Sequence, residues 1–216
     1  GLAGNRLTGW RILRREGWLA SGRRRVVRPG RRHEGQVAVP EPNRRWASDF
    51  TWIKTWNGQK VRLAVIVDCA DRMVLAWRCA SRLTAADMGE LVREALWQRF
   101  GADLTQARGL EFLSDNGPEY TATRFQADLA QLGLVPCHTP CRSPESNGIA
   151  EAFFGSFKRD YVYQACLETI AELERQLPGW ITDYNQVAPH SALGMRSPEQ
   201  FYREWKVKNR STPVQT

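Results

Sequence analysis

WASDFTWIKTWNGQKVRLAVIVDCADRMVLAWRCA, residues 46–80, is the stretch of sequence that decides the fold. Its first eleven residues alternate polar and apolar side chains, and the Asn57-Gly58 pair that follows is a strong short signal for a hairpin turn. Two further apolar runs, VRLAVIVD and MVLAWRCA, stand on either side of a turn at residues 69–72. The stretch therefore predicts three consecutive antiparallel strands.

The elements after residue 80 point to an α/β protein. Thr84, with Asp87 three residues later, predicts a helix that starts with an acidic capping box and ends at Gly101. Hydrophobic periodicity and turn residues predict four more elements: a strand at 110–114, a helix at 123–132, a strand at 134–138 and a helix beginning near Asn147. The order βββαβαβα predicts a mixed sheet flanked by helices, with an active site where strand ends and helix starts converge.

The net charge of +8 is distributed unevenly over the 216 residues. Residues 1–45 hold 12 arginines, no lysine and three glutamates, a balance of +9, whereas the rest of the chain has 19 basic and 20 acidic residues. Clustered arginine is typical of a segment that binds a polyanion, either nucleic acid or acidic lipid. The alternative is a solvated, disordered tail.

This basic region has the pattern of a small DNA-binding module. Apolar residues at partly helical spacing, Gly17 and a second basic run predict a helix-turn-helix-like segment over residues 1–30. Its second helix would present four arginines to phosphates or to a DNA groove: Arg23, Arg24, Arg25 and Arg28. Residues 31–45 contain glycine and proline without a period, so they predict a linker.

The five cysteines form no Cys-x-x-Cys pair, which favours reduced thiols. Cys137, His138 and Cys141 are spaced unlike any common zinc site, and no fourth ligand is evident. The sequence has no run of roughly 20 apolar residues that would cross a bilayer and no secretory signal pattern at its start. We therefore expect a cytoplasmic protein without a membrane partner.

Three carboxylates stand where a purely structural role is hard to justify. Asp49 interrupts the first strand, Asp115 ends a later strand, and Glu151 lies in an apolar first turn of a helix. Taken singly, each carboxylate has a structural explanation, either as a turn former at a strand end or as an acid favoured by the helix dipole near a helix N-terminus. Together they match the needs of two Mg²⁺ ions, which prefer oxygen ligands and promote in-line phosphoryl displacement without a covalent nucleophile. Mn²⁺ is expected to substitute.

The same three blocks carry a family resemblance. WASDFTWI, FLSDNGPEYTATRF and SPESNGIAEAFFGSFKRDY resemble the acidic blocks of bacterial insertion-sequence transposases of the DDE type, whose core is similar to retroviral integrase. Asp115 and Glu151 are separated by 35 residues, and Lys158 follows seven residues after Glu151, as in that family. The resemblance implies a ribonuclease-H-like fold and assigns catalysis and metal binding to Asp49, Asp115 and Glu151.

The resemblance also selects one of two candidates for the first metal ligand. In addition, it indicates where the catalytic core ends. On pattern alone Asp68 competes with Asp49; the family's first block favours Asp49 and leaves Asp68 and Arg72 as structural or supporting residues. The implied integrase-like catalytic core covers residues 46–180, followed by a C-terminal extension over 181–216.

The helix that carries Glu151 is predicted to lie along DNA. At 100° per residue, Asn147, Glu151, Phe154 and Lys158 fall within about 60° of one another, an unusual mixture for a buried face. Lys158 would contact a phosphate, and the preceding loop, residues 138–148, would order on substrate and bring Asn147, Ser143 and Arg142 to the DNA. The alternative is a solvated polar face with Phe154 turned inward.

The segment DYNQVAPHSALGMRSPEQFYREWK, residues 183–206, resembles the C-terminal block of the same family. The matching positions are Tyr184, Asn185, Pro189, His190 and Pro198. The arginine usual before Pro-His is Ala188 here, and His190 is expected to be structural. The His-His-Cys-Cys zinc module of retroviral integrases has no counterpart in the N-terminal segment.

The function implied is that of a DNA transposase, which cleaves at element ends and transfers the freed 3′-hydroxyl into target DNA. It would work on DNA as a homo-oligomer and associate with the nucleoid. The alternatives are a related ribonuclease-H-fold nuclease or resolvase, and a DNA-binding protein with an inactive core. Strand-transfer products distinguish the first alternative, and intact carboxylates argue against the second.

Overall fold

The chain divides into two units, residues 1–37 and 38–216. The computed structural model describes residues 39–138 and 148–210, all of which belong to the second unit. The predicted helix-turn-helix-like segment, most of the predicted linker and most of the loop before Gly148 lie outside the described residues.

A mixed five-stranded sheet forms the centre of the second unit. Its strands are β1 (Arg45–Lys54), β2 (Lys60–Asp68), β3 (Val74–Ala80), β4 (Glu111–Ser114) and β5 (Val135–His138), in the spatial order β3-β2-β1-β4-β5. The first three strands pair antiparallel, whereas β4 runs parallel to β1 and β5 parallel to β4. The three predicted antiparallel strands and the predicted mixed sheet are confirmed.

The hairpin between β1 and β2 turns at the predicted Asn57-Gly58 pair. The connection spans residues 55–59, and Gly58 has a φ of +87°, which only glycine adopts without strain. Thr55 closes the turn, because its backbone N–H and its hydroxyl both donate to the Gln59 carbonyl.

Six α-helices flank the sheet in the described part of the chain. They are α1 (Ala85–Phe100), α2 (Pro118–Thr121), α3 (Thr123–Gln131), α4 (Gly148–Asp160), α5 (Ile170–Gln186) and α6 (Pro198–Arg210). The predicted capping box of α1 is present, with the Asp87 amide donating to Thr84 Oγ1 and the Thr84 amide donating to Asp87. None of the described helices is both long enough and apolar enough to span a membrane.

Helix α5 is the main element that the sequence did not predict. Pro178 lies inside it, where a proline normally ends a helix. A capping box of Thr169 and Glu172 starts the helix, and the buried side chains of Leu173 and Leu177 hold it against the core. The predicted domain boundary between residues 180 and 181 falls within this helix.

Both faces of the sheet are buried, which explains the unbroken apolar run of β2. Ala64 and Ile66 face a cluster formed with α1 and α3, while Val65 and Val67 face a cluster formed with α4 and α5. A strand that is buried on both faces has a continuous run of apolar residues in its sequence. The central strand β1 is therefore held rigidly between two helical layers, and it carries Asp49.

Candidate active site

Asp49 and Asp115 lie on neighbouring parallel strands. Ala47 of β1 pairs with Leu113 of β4, and the same register continued by two residues places Asp49 beside Asp115, which directly follows the end of β4. The Asp115 carboxylate accepts a hydrogen bond of 2.9 Å from the amide of Gly117. The two carboxylates thus converge at one end of the sheet, where ligands bind in open α/β sheets.

Glu151 reaches the same end of the sheet from α4. The preceding residue, Ala150, is fully buried and packs in a small cluster with Ala47 and Leu113. Because these side chains are small, the first turn of α4 approaches β1 and β4 closely. The Glu151 side chain itself is exposed, so it is open to a ligand from solvent.

The raised pKa of Asp49 reflects its burial first and the charges of Asp115 and Glu151 second. Burial raises the pKa of Asp49 to about 6, a hydrogen bond from the Phe50 amide opposes the shift, and the charges of Asp115 and Glu151 add to it. The three like charges repel one another. A cation placed among them would relieve that repulsion.

Asp49, Asp115 and Glu151 carry oxygen donors that suit a divalent metal ion. Their side chains, however, do not stand close enough together to coordinate one ion. Within residues 39–138 and 148–210, no group of three His, Cys, Asp or Glu side chains stands at metal-binding distances. Asp49, Asp115 and Glu151 nevertheless offer only carboxylate oxygens, which hard cations prefer. The approach of Asp49, Asp115 and the first turn of α4 to one end of the sheet is the observation that supports the fit.

A network of side chains lies next to Asp49 and Asp115. The sequence did not predict any of these contacts. The Tyr120 hydroxyl lies 2.8 Å from Ser48 Oγ, and the Tyr120 ring stacks on Phe50. The Arg62 guanidinium pairs with Glu119 and lies 3.5 Å from the centre of the Phe50 ring. The neighbours of Asp49 in β1 are thereby tied to the turn that follows Asp115.

Asp68 occupies a different environment from the three carboxylates. It is fully buried, and it accepts hydrogen bonds from the Trp46 indole and from the backbone amides of Asn43, Ala70 and Asp71. Its carboxylate also lies 3.5 Å from Arg99. The structure thus gives Asp68 a structural role in the turn between β2 and β3.

Lys158 lies on the same helix as Glu151 and contacts the central strand. Its Nζ donates a 2.5 Å hydrogen bond to Thr51 Oγ1, and partial burial lowers its pKa. Phe154 is buried in the core, so its ring points inward rather than along an exposed face. Seven of the predicted DNA contacts lie outside the described residues: Asn147, Ser143, Arg142, Arg23, Arg24, Arg25 and Arg28.

The C-terminal block packs onto the core. The Asn185 side chain donates to the Val74 carbonyl and accepts from the Val74 amide, which secures edge strand β3. The His190 ring lies edge-on to Tyr184 at 4.5 Å, and burial lowers the pKa of His190. Tyr184, Asn185 and His190 therefore support the fold, and Pro198 begins α6 as predicted.

Comparison with known proteins places this arrangement among integrase cores. One integrase core domain model matches residues 39–144, and a second matches residues 132–198. The chain is 44% identical over 181 residues to an uncharacterized protein of insertion element IS136 from Agrobacterium fabrum, covering 82% of this chain and 92% of that protein. It is 37% identical over 196 residues to the putative transposase InsD of insertion element IS2E from Escherichia coli, with coverages of 90% and 89%.

Solved structures show the same fold. The catalytic core domain of BIV integrase superposes with a TM-score of 0.57 at 24% identity, over 78% of this chain and 99% of that domain. The catalytic core domain of HTLV-2 integrase in complex with magnesium superposes with a TM-score of 0.55 at 20% identity, over 74% and 97%. The sheet and its helices therefore form the ribonuclease-H-like fold of these catalytic cores.

Proposed function

This chain belongs to the insertion-element transposases with an integrase core domain, which are DDE polynucleotidyl transferases, and from that premise we propose that Asp49, Asp115 and Glu151 are its catalytic residues. The observation that carries the proposal is the placement of Asp49 and Asp115 on neighbouring strands, with Glu151 on the first turn of α4 that packs against them. The proposed reaction is cleavage of DNA at element ends, followed by transfer of the freed 3′-hydroxyl into target DNA.

Asp49, Asp115 and Glu151 would hold divalent metal ions, as the magnesium complex of HTLV-2 integrase suggests. Two Mg²⁺ ions, for which Mn²⁺ would substitute, would activate the attacking hydroxyl and stabilise the leaving oxygen. The protein's part is to place the carboxylates. Asp49 is held by β1 between two packed layers, Asp115 by the turn at Gly117, and Glu151 by the buried Ala150.

DNA would be held by basic and polar groups around this site. Lys158 follows Glu151 by seven residues, about 10.5 Å along the helix axis, which is too far to join the metal ligands and suits a neighbouring phosphate. Arg142, Ser143 and Asn147 would contact the same DNA. Arg23, Arg24, Arg25 and Arg28 would bind duplex phosphates as part of residues 1–30, and a homo-oligomer would hold the element ends together.

The test is a cleavage and strand-transfer assay on DNA that carries the element's own ends, with Mg²⁺ or Mn²⁺. Asp49→Asn, Asp115→Asn and Glu151→Gln each remove a negative charge with little change in shape, so we expect them to abolish both reactions while DNA binding and the melting temperature stay close to wild type. Asp160→Asn is the matched control, because Asp160 is exposed on the same helix as Glu151.

Two outcomes would overturn this assignment. Activity retained in all three variants would show that these carboxylates are not the metal ligands. Activity lost in Asp68→Asn with the fold intact, and retained in Asp49→Asn, would make Asp68 the first ligand instead.

A further inference from the structure

The central strand β1 continues past the end of its parallel neighbour. The pairing between β1 and β4 covers residues 45–47 of β1, while β1 itself runs on to Lys54. Among the described strands, β1 pairs beyond this point only with β2. The strand therefore leads from Asp49 to a part of the surface that β4 does not cover.

A groove of about 330 Å³ lies at the far end of this strand, between β1, the end of α4 and the segment after it. Trp52, Trp56 and Tyr163 line it, and their side chains are 52%, 67% and 73% exposed. Lys54, Lys158 and the buried Leu167 line the same groove. We refer to these six residues as the aromatic groove.

The backbone that carries the aromatic side chains of the groove is held in place by hydrogen bonds and by buried neighbouring residues. The amide of Trp56 donates to the Leu167 carbonyl at 2.8 Å, and the amide of Asn57 donates to the Glu168 carbonyl at 3.3 Å. Ile53 and Val162, next to Trp52 and Tyr163 in sequence, are buried in the core. The Arg62 guanidinium lies 5.8 Å from the centre of the Trp52 ring, which adds a cation beside the exposed aromatic groups, and exposed aromatic groups clustered on one surface mark binding sites.

The charge around the groove is positive. The chain has only five lysines, and three of them lie at or beside the groove. Lys54 and Lys60 stand opposite each other on β1 and β2, and Lys158 is the third. The acidic neighbours are Glu168, at the segment tied to the hairpin turn, and Glu172, whose carboxylate accepts a hydrogen bond of 2.8 Å from the Glu168 amide. Aromatic rings interleaved with cations are typical of surfaces that bind single-stranded nucleic acid, where bases stack on the rings and phosphates meet the lysines.

We propose that the aromatic groove binds an unpaired DNA strand that continues from the scissile site. This inference rests on the proposed function, because Asp49 and Trp52 lie on one strand, three residues and about 10 Å apart at roughly 3.3 Å per residue, and Trp56 follows in the hairpin turn. Bases within a duplex are stacked on each other and offer no free face to Trp52 or Trp56, whereas unpaired bases do. The groove thus selects DNA whose end has been frayed or opened.

The experiment compares two DNA probes of mixed sequence: a blunt duplex, and the same duplex with a short single-stranded extension. Binding to the full chain is measured by fluorescence anisotropy with EDTA present, at one salt concentration. We expect the wild type to bind the extended probe about tenfold more tightly than the blunt probe, since stacking on one aromatic ring supplies about that factor. Trp52→Ala and Trp56→Ala should each reduce this preference.

Two further variants control for effects on folding and on exposed surface. Trp56→Phe keeps a ring in place and should retain most of the preference. Trp97→Ala removes a tryptophan that is also 67% exposed but lies on α1, outside the groove, and should leave the preference unchanged.

Each possible failure has a separate signature. Equal binding of the two probes by the wild type, in a protein that still cleaves element ends, overturns this proposal and leaves the proposed function standing. Absence of all DNA binding and cleavage overturns both. If Trp56→Ala changes the mass of the DNA-free protein in sedimentation while the probe preference stays, the groove is a protein contact and the proposal is wrong.

Discussion

At the scale of single residues, Gly117 controls the position of Asp115, one of the three carboxylates that we propose to be catalytic. A Cβ added at this residue would stand 2.9 Å from Asp115 Oδ1, the oxygen that the Gly117 amide also binds. Gly117→Ala must therefore displace the Asp115 side chain or the turn that follows it. Because displacements of about 1 Å at a reacting centre cost about 100-fold in rate, we expect a loss of that order in end cleavage.

The measurement is the single-turnover cleavage rate, compared with the thermal unfolding midpoint of the same protein. Gly179→Ala is the control, since a Cβ there meets no atom within 4 Å in the middle of α5. That variant should gain up to about 1 kcal/mol in stability through helix propensity and keep its cleavage rate. A wild-type rate in Gly117→Ala would mean that the turn does not constrain Asp115.

At the scale of elements, the turn between β2 and β3 is joined to the last turn of α1 by buried charges. Asp71 accepts a 2.8 Å hydrogen bond from Arg99, whose guanidinium also lies 3.9 Å from the ring of Tyr202 on α6. Burial raises the pKa of Asp71 to about 7; Arg99 opposes this shift, and the charge of Asp68 adds to it. Three elements therefore depend on the ionisation of one buried carboxyl group.

The sign of the resulting pH dependence follows from this raised pKa. In the unfolded chain Asp71 loses its proton near pH 3.8, whereas in the folded protein it keeps the proton up to about pH 7. Between these values the folded state binds more protons, so the contribution of Asp71 to stability falls as pH rises. Asp71→Asn should flatten this fall, measured as urea midpoints at pH values between 4 and 8.

Asp103 serves as the control of opposite sign. Its pKa is lowered by hydrogen bonds from Thr105 and Gln106, so its contribution is lost as pH falls below the ordinary range of a carboxyl group. Asp103→Asn should leave the slope near neutral pH unchanged. An identical slope in wild type and Asp71→Asn would refute the role of Asp71.

At the scale of the whole molecule, charge is divided between the N-terminal region and the rest of the chain. With +9 in residues 1–45 and near neutrality beyond, the salt dependence of duplex binding should arise mainly from the arginines of the first region. Replacing Arg23, Arg24, Arg25 and Arg28 by Gln should reduce the slope of log K against log salt by up to about 3.6, at about 0.9 per phosphate contact.

The control variant loses the same charge elsewhere. It replaces four exposed arginines of the described part of the chain by Gln: Arg82, Arg108, Arg175 and Arg203. Its salt slope should stay close to that of the wild type. Equal slopes in both quadruple variants would show that the N-terminal arginines have no special part in DNA binding.

The sequence by itself determined the features that depend on neighbours along the chain. Alternation and the Asn57-Gly58 pair predicted β1 and the hairpin, and the Thr84 and Asp87 pair predicted the start of α1, because strand periodicity, turns and caps are local properties. The three acidic blocks, with their spacing, identified Asp49, Asp115 and Glu151 as candidates. The basic N-terminal region was also evident from composition.

Only the tertiary structure decided which distant residues support the site. The partners Ser48 and Tyr120 are 72 residues apart, and Arg62 and Glu119 are 57 apart, so no local pattern could pair them. Helix α5, which was not predicted from the sequence, contains Pro178, which disfavours a helix locally, and its packing against the core stabilises it. Asp49 and Asp68 look alike in sequence; they differ because the fold encloses Asp68 among backbone amides and leaves Asp49 facing two other carboxylates.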